Sequence, residues 1–305
     1  MILKMKNKVL ITGGLGFIFS HVTEYFVSKG YDVIVIDNET VGSHPEIIDG
    51  SFTYFKDDVF SKESYDFIVK HNPDYIIHAA AISDVDFSIQ NPNETIYKNN
   101  QSIVNVFEAA RKCSNLKKLV YISTDEVYGE CEYRKQETDI IFPKNPYACS
   151  KAFGSLLRIT YDNTYPELKD KTAETRFCNV FGERQDDRKI MSAIKESILN
   201  DKIIPIHNGG KGSREYIYIG NIPEAVELVM LKGNRVYNIT LNDSYTVTEL
   251  IDKVQQVTSK KVNTVESQRS GMDLKYQMDN SRILELGWKP KFTFEEGIKK
   301  YYEII

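Results

Sequence analysis

No stretch of this sequence stays apolar for the roughly 20 residues a membrane-crossing helix needs, and Met1 to Lys8 leads into a strand-like segment with no signal-peptide core. Cysteine is scarce. Cys113, Cys131, Cys149 and Cys178 form neither a CxxC pair nor a metal-ligand spacing, so four free thiols are expected and no metal site. Excess positive charge is missing as well. The formal net charge of -4 offers no general attraction to nucleic acid, so an anionic ligand must be met by local cations or helix N-termini. Internal repeats and low-complexity tracts are lacking. What remains is a chain of 305 residues, 41% hydrophobic and 27% charged, able to bury one large core or two unequal lobes, in a reducing cytoplasmic setting.

Short β-branched runs recur through the first half at Val9–Thr12, Val33–Asp37, Phe52–Phe55, Tyr75–Ala80 and Leu119–Thr124. Between most of them lie stretches of helical period, such as Ile18–Lys29 and Thr95–Lys112. Strands that read as near-continuous apolar runs have both faces covered, which points to a parallel α/β sheet. After about Asn179 the rhythm loosens: Pro205, Gly209 to Gly212 and Asp243-Ser244 punctuate shorter elements, ending in an expected helix over Phe294–Ile304. Residues 1–178 are therefore expected to form the first domain, and 179–305 a smaller lobe interwoven with it.

Val9-Leu10-Ile11-Thr12-Gly13-Gly14-Leu15-Gly16-Phe17-Ile18 reads as a strand, a glycine turn and a helix start. Gly13 permits the tight turn, and Gly16 lets backbone N–H groups at the helix start, Phe17 and Ile18 included, approach a pyrophosphate at the positive end of the helix. The second strand then ends in Asp37, about 20 residues on, where a carboxylate can accept from the adenosine ribose hydroxyls and would repel a 2′-phosphate. NAD is thus expected rather than NADP. Asp58-Val59, at the end of the third strand, is placed to meet the adenine. One residue dissents: where a third glycine is expected stands Phe19, so either the helix shifts outward or the ring fills a gap.

A tyrosine and a lysine four apart on a helix share a face, and the ammonium can then lower the phenol from its reference value near 10. The spacing occurs at Tyr25-Lys29, Tyr147-Lys151 and Tyr165-Lys169. Context separates them. Tyr25 lies in the helix after the glycine turn, and Pro166 interrupts any helix at Tyr165. Tyr147 opens a helix after Asn145-Pro146, downstream of a fifth strand whose carboxyl end carries Ser123 and Thr124. Ligands of open α/β sheets bind at the carboxyl ends of strands, so Thr124 and Tyr147 can converge on one substrate hydroxyl.

With these pieces assembled, the chain resembles an extended short-chain dehydrogenase/reductase of the nucleotide-sugar epimerase and dehydratase family. The resemblance runs from the glycine turn through Asp37, Asp58-Val59, His78-Ala79-Ala80-Ala81 and Tyr147-Ala148-Cys149-Ser150-Lys151 to Arg176-Phe177-Cys178-Asn179-Val180-Phe181-Gly182, Arg214-Glu215-Tyr216-Ile217-Tyr218 and Leu286-Gly287-Trp288-Lys289-Pro290. It implies a Rossmann-like doubly wound sheet, NAD as cofactor with Ala79 and Ala80 beside it, a nucleotide-sugar substrate, and a homodimer joined through helices including the one that bears Tyr147.

Within the family, Ser123-Thr124-Asp125-Glu126-Val127-Tyr128-Gly129 resembles the motif of hexose 4,6-dehydratases of the dTDP-glucose type. Dehydration needs an acid for the departing C6 hydroxyl and a base for the C5 proton, and two carboxyl groups beside the cofactor can divide those tasks. By resemblance Asp125 is the acid and Glu126 the base, while Tyr147, assisted by Thr124, removes the C4 hydroxyl proton. Lys151 tunes Tyr147 and holds the nicotinamide ribose. Taken without the resemblance, Asp125-Glu126 reads as an acidic pair complementing a helix N-terminus.

Asn179, Lys189, Arg214 and Arg269 match family positions that contact the nucleotide or its diphosphate, and Ser83 is assigned to the substrate in the same way. The dTDP-glucose enzymes usually carry Glu, His and Arg where Ile82, Asp84 and Phe87 stand, and Met272 and Leu274 replace a usual histidine and arginine. These stretches face the sugar or base, so UDP-glucose and UDP-N-acetylglucosamine stay open beside dTDP-hexoses. The span from Gly129 to Tyr147 is short for the family, which leaves C5 inversion open beside retention. A 4-epimerase, a decarboxylase and a non-catalytic NAD sensor are the rival readings.

Overall fold

In the computed structural model, residues 6–40, 42–268 and 275–302 are described. The first half alternates strand and helix: β1 (Lys8–Thr12), α1 (Phe17–Ser28), β2 (Asp32–Asp37), β3 (Thr53–Lys56), α2 (Lys62–His71), β4 (Tyr75–His78), α3 (Val85–Gln90), α4 (Pro92–Lys112), β5 (Lys118–Thr124), α5 (Pro146–Thr164) and β6 (Thr172–Phe177). The remainder adds β7 (Asn179–Phe181), α6 (Ile190–Asn200), β8 (Ile204–His207), β9 (Ser213–Tyr218), α7 (Ile222–Lys232) and β10 (Val236–Ile239). It closes with β11 (Ser244–Thr246), α8 (Val247–Thr258), β12 (Thr264–Ser267), α9 (Ser281–Leu286) and α10 (Phe294–Tyr302).

Seven strands form one parallel sheet in the order β10-β6-β5-β4-β1-β2-β3. The order reverses between β1 and β4, and such a reversal opens a crevice at the carboxyl ends of the strands. Successive side chains of a strand point to opposite faces, and the two buried clusters follow that alternation. Val9, Ile11, Val33 and Val35 meet Val22 and Phe26 of α1 and Val226 and Val229 of α7. Leu10, Ile34, Ile36 and Ile76 meet Ile68 of α2 and Val106 and Phe107 of α4. Helices therefore cover both faces, as the apolar runs require.

Beyond residue 178 the chain builds a three-stranded sheet, β11-β9-β7, and a β12-β8 pair, yet α7 and β10 return to the large sheet. The first cluster continues without a break through Phe181, Tyr216, Leu250 and Phe294, so both lobes share one core. Phe294 is central there, stacked on Tyr245 at 4.5 Å and edge-on to Phe181 at 5.7 Å.

Phe19 is 6% exposed within that core. The close approach of turn and sheet falls instead at Gly14, where a Cβ would lie 2.8 Å from Val35 and 3.0 Å from Thr23 Oγ1. The missing third glycine is thereby accommodated without loss of α1.

Candidate functional site

The glycine turn is held at several points. Thr12 Oγ1 accepts from the N–H groups of Ala79 (3.2 Å) and Ala80 (3.3 Å) and lies 2.8 Å from His78 Nδ1. With its acceptor capacity used, the hydroxyl proton goes to Nδ1, which sets His78 as the Nε2–H tautomer. Burial, then the Lys151 charge, push this imidazole down to about 3, so it is neutral. Gly13 has φ +70°, and a Cβ on it would stand 2.8 Å from the Ala80 backbone. Gly13→Ala is therefore expected to destabilise the fold by at least about 2 kcal/mol through left-handed strain and that collision, read as a lowered melting temperature together with weakened NAD binding.

At Gly16 the position of a side chain meets only the Gly13 carbonyl, at 3.4 Å. A Cβ there would fill the cradle before the first turn of α1, whose Phe17 and Ile18 N–H groups have no acceptor inside their own helix. Asp37, buried at the end of β2, accepts from Leu15 N (3.0 Å), Glu39 N (2.9 Å) and Ser43 Oγ (3.1 Å). A carboxylate offers about four acceptor sites, so room is left for a ribose hydroxyl. Asn38 donates to Asp58 Oδ1 at 2.6 Å, joining the ends of β2 and β3, and Val59 is buried beside them. These residues fit a dinucleotide lying along the carboxyl edge of the sheet.

The chemistry-bearing groups gather at the end of β5, the fully buried strand beside β4. A 3-10 turn over Asp125–Tyr128 follows, capped by Thr124, whose Oγ1 accepts from Glu126 N at 3.3 Å and donates to Asp125 Oδ1 at 3.0 Å. Helix α5 then starts at Pro146, with Asn145 as its cap, and ends before Tyr165-Pro166. Gly154 lets α5 sit directly on β5, since a Cβ there would be 2.2 Å from the Tyr121 ring. Tyr121 also donates to the Lys151 carbonyl at 3.0 Å.

Thr124, Asp125, Glu126 and Tyr147 are thereby brought together. Burial pushes the Asp125 carboxyl up to about 7, with the neighbouring Glu126 charge adding to the rise and Arg214 opposing it. Tyr147 sits above its ordinary value because of burial and then the Glu126 and Asp125 charges, against a hydrogen bond with Thr124. Burial, ahead of the two carboxyl charges, sets the direction of that shift. The Lys151 ammonium lies over the Tyr121 ring at 4.9 Å, and burial pushes it down to about 7 with Glu174 pulling upward.

Of the expected substrate residues, Asn179, Lys189 and Arg214 lie in the second lobe and Ser83 in the segment after β4. Arg214 on β9 is stacked over Tyr276 at 4.4 Å and acts on Asp125. Asn179 is exposed at the start of β7, its amide 3.4 Å from the Glu215 carbonyl. Lys189 is the exposed cap residue of α6. Ser83 is exposed beside Asp84, whose carboxyl caps α3 and is held low by the Phe87 N–H and by the Arg188 and Lys189 charges. An Asp84–Arg188 ion pair at 2.9 Å ties these two segments. Arg269, with Met272 and Leu274, lies outside the described residues.

Three contributors escaped the sequence reading. Asn99 of α4 is bonded to Ile82 N (2.8 Å) and Ser150 Oγ (2.9 Å), locking the segment after β4 to α5. Arg184, at φ +68°, grips Glu24 of α1 with two bonds of 2.7 and 2.8 Å. Asn145 holds Glu126, and only its place before Pro146 hinted at a cap.

Taken together, a doubly wound sheet, a glycine cradle and a Tyr-Lys pair at the carboxyl edge define a dinucleotide-dependent enzyme of the short-chain dehydrogenase/reductase class. Residues 9–240 match the NAD dependent epimerase/dehydratase family, and the chain belongs to that family. It is 31% identical to the low-salt glycan biosynthesis protein Agl12 of Haloferax volcanii, covering 95% of this chain and 96% of that one. Identity to the dTDP-glucose 4,6-dehydratase of Salmonella typhimurium is 30%, over 97% and 92% of the two chains. The fold matches the UDP-glucose 4-epimerase of Thermotoga maritima, solved with UDP-glucose, at TM-score 0.91, 30% identity and 97% coverage of both chains. Relatives of both reaction types are thus similar to this chain over nearly its whole length.

Proposed function

We propose that the chain is a nucleotide-sugar 4,6-dehydratase acting on a UDP- or dTDP-hexose, with UDP-N-acetylglucosamine among the candidates, and that residues 1–178 mainly serve the cofactor and 179–305 mainly the substrate. The observation that carries this reading is the adjacent carboxyl pair, Asp125 and Glu126, whose charges act on the same phenol that Thr124 touches. An epimerase has no use for an acid and a base aimed at neighbouring carbons; elimination of water needs both.

Bound NAD supplies the acceptor for the C4 hydride and the donor that returns it to C6. Gly13, Gly16, Phe17 and Ile18 cradle its pyrophosphate, Asp37 takes the ribose hydroxyls, Asp58 and Val59 border the adenine, and Ala79 and Ala80 line the crevice. Tyr147 removes the C4 hydroxyl proton with Thr124 beside it, and Lys151 holds the nicotinamide ribose. The resulting 4-keto group acidifies C5–H. Glu126 takes that proton, and Asp125, poised near neutrality, protonates the leaving C6 hydroxyl. The product is a 4-keto-6-deoxy sugar nucleotide, held through Arg214, Asn179, Lys189, Ser83 and Arg269.

Four free thiols suit a reducing cytoplasm. Exposed Leu156 and Ile159 on α5 with Tyr97 on the adjoining α4 suit a homodimer through these helices; a monomeric mass by light scattering removes that reading.

The fold match to an epimerase is the observation favouring 4-epimerisation, and one assay separates the two. Purified protein is incubated with NAD and a panel of UDP- and dTDP-hexoses and a UDP-uronate, and the products are weighed by mass spectrometry. Loss of one water is expected. An unchanged mass with inverted C4 makes it an epimerase, and loss of carbon dioxide from a uronate makes it a decarboxylase.

A further inference from the structure

Asn145 spends both ends of one amide on two different elements. Its Oδ1 accepts from Ala148 N at 2.7 Å, capping the helix that carries Tyr147 and Lys151, and its Nδ2 donates to Glu126 Oε2 at 2.7 Å. We propose that Asn145 is the positioning residue that makes Glu126 the base and leaves Asp125 as the acid. This deepens the dehydratase reading and rests on it.

Two neighbouring carboxyl groups in a poorly solvated corner cannot both ionise freely, and without an asymmetry the proton is shared between them. The groups facing the pair come from four segments: Thr124 on their own turn, the Tyr147 phenol on α5, the Cys178 thiol between β6 and β7, and Arg214 with Glu215 on β9. Thr124 donates to Asp125 and Asn145 to Glu126. The two donors differ in what they are fastened to. Thr124 adjoins Asp125 in sequence, and its oxygen also receives the Glu126 N–H, so its geometry belongs to the turn. Asn145 is rooted in α5, two residues from Tyr147, so its bond sets the Glu126 carboxylate at a fixed offset from the phenol. A donated N–H also favours the ionised form of its acceptor. Asp125, 6% exposed with the Glu126 charge beside it, then keeps its proton.

A cap alone tolerates Asp and Ser about as well as Asn, which separates positioning from mere structure. Asn145→Asp keeps the acceptor for Ala148 N and sets a second carboxylate against Glu126. Asn145→Ser keeps the cap and shortens the reach to Glu126. Asn145→Ser is expected to melt like the wild type; Asn145→Asp should do so below about pH 4 and melt lower near neutrality, where it sets two carboxylates together. In Asn145→Asp the acidic limb of the pH profile for water loss should move up by about one unit or more, so on that limb, below the wild-type midpoint, water loss falls about tenfold or more. Asn145→Ser should lose water elimination relative to C4 oxidation with a smaller shift.

A readout independent of turnover is the titration of carbon-13-labelled glutamate by NMR in the folded protein, with the Glu126 signal assigned from its absence in Glu126→Gln. The Glu126 carboxyl should titrate higher in Asn145→Asp than in the wild type. If the wild type releases no water from any nucleotide sugar while this titration still moves, the dehydratase reading fails and the tether stands. If the wild type releases water, and Asn145→Asp leaves both the profile and the Glu126 titration unmoved, Asn145 is only a cap and the proposal is overturned.

Discussion

Glu126→Gln is expected to oxidise the sugar at C4 and then stall. The substitution keeps the side chain's size and its contact with Asn145, but an amide takes no proton from C5. Removing a positioned general base slows a proton transfer by about two to four orders of magnitude, and water loss should fall by that much. Oxidation at C4 calls on Tyr147 and Thr124 instead. Removing the Glu126 charge relieves one of the two carboxylate repulsions that hold the Tyr147 phenol up, so that step should proceed at least as readily as in the wild type. The signature is a build-up of reduced nicotinamide by near-ultraviolet absorbance, with no product one water lighter by mass spectrometry. Water release at the wild-type rate removes Glu126 from the chemistry, and with it the main distinction from an epimerase.

How much of this was legible in the sequence varies with the range of the interactions involved. The parallel sheet was legible because strands covered on both faces must be apolar throughout, and Val33–Asp37 and Leu119–Thr124 differ by one residue from the observed β2 and β5. Tyr75–Ala80 ran too long. Thr12 captures the Ala79 and Ala80 N–H groups and turns the chain away after His78. Helix α4 starts three residues earlier than its period suggested because Pro92 occupies its first turn, where a missing N–H does no harm.

Long-range features were not legible. β10 joins the large sheet by pairing Val236 with Glu174, which no local pattern announces. Glu174 itself is fully buried in β6, bonded to Arg176 at 2.7 Å and to Ser155 Oγ at 2.7 Å, and nothing in its neighbours along the chain shows that it will reach Lys151 electrostatically. The same holds for Tyr147. Its spacing to Lys151 was visible, but the direction of its shift depends on its burial first and then on how closely Glu126 and Asp125 approach it in space. The order of the catalytic groups could be read from the chain; their balance of charge could not.

That balance yields a second large effect, on stability. Asp125 is 6% exposed, and its carboxyl is raised from an ordinary 3.8 to about 7. Between those values the folded protein holds a proton the unfolded chain has released, so stability falls as pH rises across that interval. The stabilisation of the protonated form is complete below about pH 4 and gone above about pH 7. About 3 units at 1.36 kcal/mol each is a loss on the order of 4 kcal/mol. Asp125→Asn cannot ionise, and its amide oxygen still accepts from Thr124. The variant is therefore expected to match the wild type near pH 4 and to exceed it by up to this amount near pH 9, in denaturant unfolding at the two pH values. Its water elimination should drop sharply, because an amide does not protonate the leaving C6 hydroxyl. A gain in stability with a loss of activity is what a carboxyl kept for chemistry at the expense of the fold would show. A difference independent of pH would mean that Asp125 is already ionised at neutrality, and the protonation of the departing hydroxyl would have to come from another group.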